Sequence, residues 1–303
     1  MKVDNRVLAN PKTKSETGLD YVKSSIDLNT PYGNRKLKEI KPFFPGQEKE
    51  LRILLDDLDR MLDFVKKNAK QVAILSEILM EIKENTYTIK RCADSTLSVV
   101  EIFEIKTLLL QMSSINAIIK GVELDIPSKY ILRDSEELLD DLDPRRDRLN
   151  TFYIYDEFSD KLRELRKRKK EYDKRIRSVS KKKRDEIKEE FGILLTPKFD
   201  ISINKKSEDY KIAQKIDDLE LLQEDYLSVI YALKTQPEVY EITEELEELN
   251  TDIEMEEAIV RDNLSRTIAK YKDLLLENCE KIGDMDFDIA KAQYSIKHKC
   301  VKP

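Results

Sequence analysis

Two segments of opposite charge flank a short strand-rich insert, and this arrangement narrows the folds open to the chain. From Lys161 to Lys188 there are fifteen Lys/Arg and five Asp/Glu, whereas Asp217 to Glu257 holds fifteen acidic residues and one basic residue, Lys234. Like charges along one segment oppose its self-pairing, and opposite signs favour pairing of the two with each other. Apolar residues recur at heptad spacing on the first segment, with Phe158, Leu165, Tyr172 and Val179 in one position and Leu162 and Ile176 in the other. The second carries Leu246, Leu249, Ile253, Val260, Leu264, Ile268, Tyr271 and Leu275. Each seam is too thin to stabilise a lone helix, so the pattern predicts two long antiparallel arms in which Tyr172 and Ile176 approach the stretch from Ile253 to Val260.

The remaining sequence reads mostly as helix. Charged residues make up 38% and glycines number only six, which fits long solvated helices better than a sheet protein. A first helix is expected near residues 18–28. Leu51, Leu54, Leu58, Met61 and Val65 step by three or four through residues 47–68, an amphipathic helix. Ser98 and Glu101 stand in capping-box spacing ahead of an apolar run that stops at Gly121. A short helix around residues 135–142 ends before Pro144, and residues 151–155 (TFYIY) are expected to be extended. Between the arms, residues 199–203, 226–233 and 239–243 are rich in β-branched and aromatic side chains and predict three strands, with a polar loop over 205–214. The fold class is therefore mainly α. A helical core over 1–157 leads to an outgoing arm at 158–190 and a small β-containing insert at 191–243, and 244–303 returns and re-enters the core.

Chemistry is constrained chiefly by what is missing. None of the glycines, at 18, 33, 46, 121, 192 and 283, forms a phosphate-cradling loop. The single histidine, His298, would have to serve any catalytic triad, and with Cys279 and Cys300 it reads as a C-terminal residue rather than a metal site. Carboxylate runs such as Glu244, Glu245, Glu247 and Glu248 read as a solvated helix face. No enzyme activity, cofactor or metal is expected of this chain. Three widely spaced cysteines, a polar N-terminus and no evident membrane-spanning stretch lead to the expectation of a cytoplasmic protein.

Four phrases, in order, carry a resemblance. Thr30-Pro31-Tyr32-Gly33 with Leu37 comes first, then Leu142-Asp143-Pro144. Glu245-Leu246-Glu247-Glu248-Leu249-Asn250 with Glu256-Glu257 and Leu264-Ser265 is third, and Asp286-Phe287-Asp288-Ile289-Ala290-Lys291-Ala292 is last. Their order and spacing over residues 19–303 resemble the core, lever and clamp regions of the MutS family of DNA mismatch-repair and recombination ATPases. The resemblance implies two lever helices with a clamp at their tip, contact with the DNA backbone, and relay of motion to an ATPase domain. That domain would lie beyond Pro303 and would bind ATP and Mg, so the chain would be either an excised piece of a larger protein, one able to form a homodimer, or a degenerate relative.

A whole-chain charge of −6 leaves any DNA contact to local cations. The candidates are the dense run Lys181, Lys182, Lys183 and Arg184, with Lys198, Lys205, Lys206, Lys211 and Lys215 on the insert. The acidic run Asp217-Asp218-Leu219-Glu220 departs from what a DNA clamp requires, because it repels phosphate. The alternative function is a stand-alone helical coiled-coil scaffold for protein–protein interaction, in which the 181–184 cluster neutralises the acidic arm.

Overall fold

The computed structural model describes residues 15–122 and 127–302. Among these, in chain order, are α1 (Leu19–Ser24), α2 (Pro31–Lys38), α3 (Glu48–Lys67), α4 (Ala69–Met80), α5 (Thr86–Arg91), α6 (Val99–Lys120), α7 (Glu136–Leu142) and α8 (Asp160–Phe191). Strand β1 (Asp200–Asn204), α9 (Glu208–Ala213), β2 (Leu219–Glu224) and β3 (Ser228–Leu233) follow, then α10 (Pro237–Lys270) and α11 (Lys272–His298). The protein is mainly helical, with one antiparallel sheet of order β1-β3-β2. It divides into two compact units, one of residues up to Tyr155 with those from Arg261 onward, the other Asp156–Val260.

The first unit is built around α11, against which α2, α3 and α5 pack. Leu275, Cys279, Ile282, Met285, Ile289 and Ala292 are buried along this helix. Helix α6 starts with the expected capping box: Ser98 Oγ accepts from the Glu101 amide, and the Glu101 carboxylate accepts from the Ser98 amide. By length and composition α6 would pass as a membrane-crossing helix. Its apolar surface is instead used inside the unit, where Ile102, Ile105, Leu108, Leu109, Met112 and Ile115 are each at most 1% exposed.

Buried polar joints tie distant parts of this unit together. The Asp286 carboxylate accepts from the backbone amides of Asn29 and Thr30 and from Thr30 Oγ1 at 2.7 Å, while Thr30 Oγ1 itself accepts from the Gly33 amide. A Cβ on Gly33 would collide with that carboxylate, so the close approach requires glycine. Asp288, two residues along, accepts from Tyr130 Oη at 2.6 Å and pairs with Lys129 and Lys291. Lys106 on α6 is fully buried and pairs with the equally buried Asp143 at 3.1 Å, and its ammonium also donates to the Thr151 carbonyl. The first and last resemblance phrases thus meet directly, 256 residues apart in the chain at Thr30 and Asp286.

In several places the structure departs from sequence expectation. Residues 239–243 are not a strand but part of α10, which begins at Pro237 rather than at 244. The acidic stretch Leu219–Glu224 is a strand instead, and residues 208–213 of the expected polar loop are helical.

Candidate nucleic-acid interface

The candidate cations all lie in the unit formed by Asp156–Val260. Helix α8 begins at the N-cap Ser159, whose Oγ accepts from the Leu162 amide, and ends at Gly192 in the left-handed conformation with φ 72°. Ser159 Oγ donates to Glu256 at 2.8 Å, Arg166 pairs with Glu257 at 2.7 Å, and Lys169 donates to Asn250 at 2.7 Å. These contacts run in opposite senses along α8 and α10, so the helices are antiparallel. Leu162 and Leu165 are buried on one, and Leu249, Ile253 and Val260 on the other. Tyr172 is not opposite 253–260 as expected. It lines a cleft of about 330 Å³ with Arg168, Glu245, Glu248, Leu249 and Asp252, so the register is displaced toward the start of α10.

Beyond the arms, Ile187 at the end of α8 joins Ile193, Leu195, Ile203, Ile216, Leu219, Val229 and Tyr231 in a small core beneath the sheet. Alternation along β3 explains the pattern: Val229 and Tyr231 point inward opposite Ile203 and Ile201, while Ser228 and Ile230 occupy the other face.

The nine expected DNA-contacting residues fall into two groups. Lys183 pairs with Asp218 at 2.8 Å and Glu186 at 3.3 Å, and the bond to Asp218 chiefly holds its ammonium above the usual lysine range. Arg184 pairs with its neighbour Asp185 at 3.0 Å, and Lys205 with Glu224 at 2.7 Å. Lys181, Lys182, Lys198, Lys206, Lys211 and Lys215 are exposed and make no ion pair among the described residues. The 181–184 cluster pairs with none of the carboxylates on α10. The acids that meet Lys183 are Glu186 on its own helix and Asp218, just ahead of β2.

A more extended feature escapes a search for charge density. Lys167, Lys170, Lys174, Arg177, Lys181 and Lys188 recur at intervals of three, four or seven residues, and all are exposed and without an ion pair among the described residues. On an α-helix this spacing places them on one face, to one side of the stripe of Leu162, Leu165 and Ile187. At 1.5 Å per residue the row spans about 30 Å. The signal was available in the sequence as a three-four periodicity of cations, but the run at 181–184 obscures it.

Several other ionisable groups with displaced pKa values belong to the core. Burial pushes the Cys279 thiol up to about 12 and raises that of Cys92, which keeps both protonated at neutral pH. Tyr32 and Tyr130 are likewise raised by burial, the latter also by Asp288. Among the described residues no group of three or more His, Cys, Asp or Glu side chains is placed to hold a metal ion. His298 and Cys300 are exposed while Cys279 is buried. No family model and no curated protein matches this chain.

Proposed function

We propose that this chain is the DNA-contacting, non-catalytic part of a MutS-like mismatch-repair or recombination ATPase. In this reading α8 and α10 are the lever arms, the sheet with its small core is the clamp, and ATP and Mg are bound by an ATPase domain of the parent protein. The observation that carries the DNA contact is the unpaired basic row on α8. Six cations over about 30 Å match a rod laid along roughly nine base-pair steps of duplex at 3.4 Å per step. A row of evenly spaced cations along one helix suits successive phosphates, so the contact is to the backbone and independent of sequence. The resemblance phrases support the core assignment through their role in the fold, since Thr30 and Gly33 meet Asp286, and Asp143 holds Lys106.

Fluorescence anisotropy with labelled duplex DNA across a salt series tests the reading. Each phosphate contact contributes about 0.9 to the slope of log affinity against log salt. Replacing Lys167, Lys170, Lys174, Arg177 and Lys181 by Ser should flatten that slope by several units, while replacing Lys206, Lys211 and Lys215 should change it less. Absence of binding at low salt, or an unchanged slope in the α8 variant, refutes the DNA contact and leaves the arms as a protein scaffold.

A further inference from the structure

The acidic tip has a geometry that DNA contact does not explain. Strand β2 lies at one edge of the β1-β3-β2 sheet and, among the described residues, pairs with β3 alone, which leaves a row of backbone N–H and C=O groups without a strand partner there. The register slips between Leu221 and Gln223, so Leu222 has no partner on β3. Leu221, Leu222, Tyr226 and Leu227 are 51%, 65%, 93% and 56% exposed, an apolar strip along the edge and its turn into β3. Isolated exposed leucines are ordinary, but four exposed large apolar side chains within seven residues are a local concentration of apolar surface.

The charge around this strip selects the occupant. Asp217, Asp218, Glu220, Glu224 and Asp225 flank it in the chain, and among the described residues only Asp218 and Glu224 have cationic partners, Lys183 and Lys205. Nucleic acid is repelled by such a rim. A second copy pairing edge to edge would bring the same carboxylates against each other. Of the devices that protect sheet edges, β2 carries acidic charge and a bulge but neither lysine nor proline, so what guards it disfavours acidic and like-charged strands rather than basic ones.

We infer that the free edge of β2 docks an extended, lysine- or arginine-bearing segment of a partner protein, which adds to the sheet as a fourth strand. Backbone hydrogen bonds supply the affinity, as in other strand-addition complexes. Apolar side chains of the segment cover Leu221 and Leu222, and its cations face Glu220 and Asp225. This interaction stands independently of the basic row on α8, which lies on another element.

The test titrates the full chain with three labelled peptides of equal length, read by anisotropy and by amide hydrogen exchange over Leu219–Glu224. One alternates lysine and valine, one alternates glutamate and valine, and the third is the lysine peptide with a central proline. The lysine peptide should bind saturably and slow exchange in β2, and the other two should not. The exposed double variant Glu220→Lys, Asp225→Lys should weaken the lysine peptide roughly tenfold and favour the glutamate peptide. A Leu222→Asp variant, which leaves the sheet core untouched, should also lose affinity. The inference is overturned by absence of saturable binding, by equal binding of the proline peptide, by affinity that charge reversal does not alter, or by protection of β2 through self-association without peptide.

Discussion

Asp286 and Asp288 lie two residues apart on α11, yet their surroundings move their acidities in opposite directions. Burial raises both, and at Asp286 burial wins despite the donors at Asn29 and Thr30. At Asp288 the ammonium groups of Lys291 and Lys129, with the Tyr130 hydroxyl, more than offset burial and hold the carboxyl below its usual range. A depressed folded pKa means that Asp288 contributes stability above the unfolded value of about 3.9 and loses it as the pH falls through the lower folded value. The raised pKa of Asp286 has the reverse sign, contributing stability in acid that is lost as the pH rises through it. Denaturant unfolding at several pH values checks this. The stability gap between the protein and Asp288→Asn should be widest near neutrality and close on acidification, whereas the corresponding gap for Asp286→Asn should shift in favour of the variant as the pH rises.

At the scale of elements, the helices were legible where period and cap agreed. The start of α6 is written in Ser98 and Glu101, and the body of α3 in its apolar steps from Leu51 to Val65. The sheet region is less legible because β propensity is a weak guide without packing. Val239 and Ile242 look strand-like, but Pro237 fits the first turn of a helix, and the two side chains extend the buried stripe that continues through Leu249 and Ile253. Conversely, Leu219–Glu224 carries no β-branched residue and is a strand because β3 offers a partner. The arm register failed for a similar reason, since heptads specify a face without specifying an offset. The contacts Lys169–Asn250 and Arg166–Glu257 fix that offset. Spin labels on Arg168 and Glu248, which line one cleft, should therefore report a short intramolecular distance. Labels on Arg175 and Glu256 should lie farther apart, because Glu256 sits opposite Ser159 and Lys161. Equal distances for the two pairs would restore the register read from the heptads.

Across the whole molecule, stability is distributed unevenly between the two units. The core around α11 and α6 is large and tied by buried polar joints, whereas the sheet rests on a small cluster centred on Ile203, Val229 and Tyr231. Segments with few buried contacts open at lower free energy than the global transition. Ile203→Ala removes methyl and methylene groups from a site 4% exposed, and should cost about 2–5 kcal/mol in the sheet unit. Hydrogen exchange should then show β1 and β3 losing protection at denaturant concentrations where α6 remains protected. Because Ile187 anchors the end of α8 in the same cluster, the last turns of that helix should fray with the sheet. Lys188 and, to a smaller extent, Lys181 would leave the basic row, whereas Lys167 and Lys170 remain beside the buried Leu162 and Leu165. The salt slope of DNA binding in Ile203→Ala should consequently flatten by about one unit or slightly more, rather than vanish. A variant that loses sheet protection yet keeps the full slope would place the phosphate contacts on the proximal half of α8 alone.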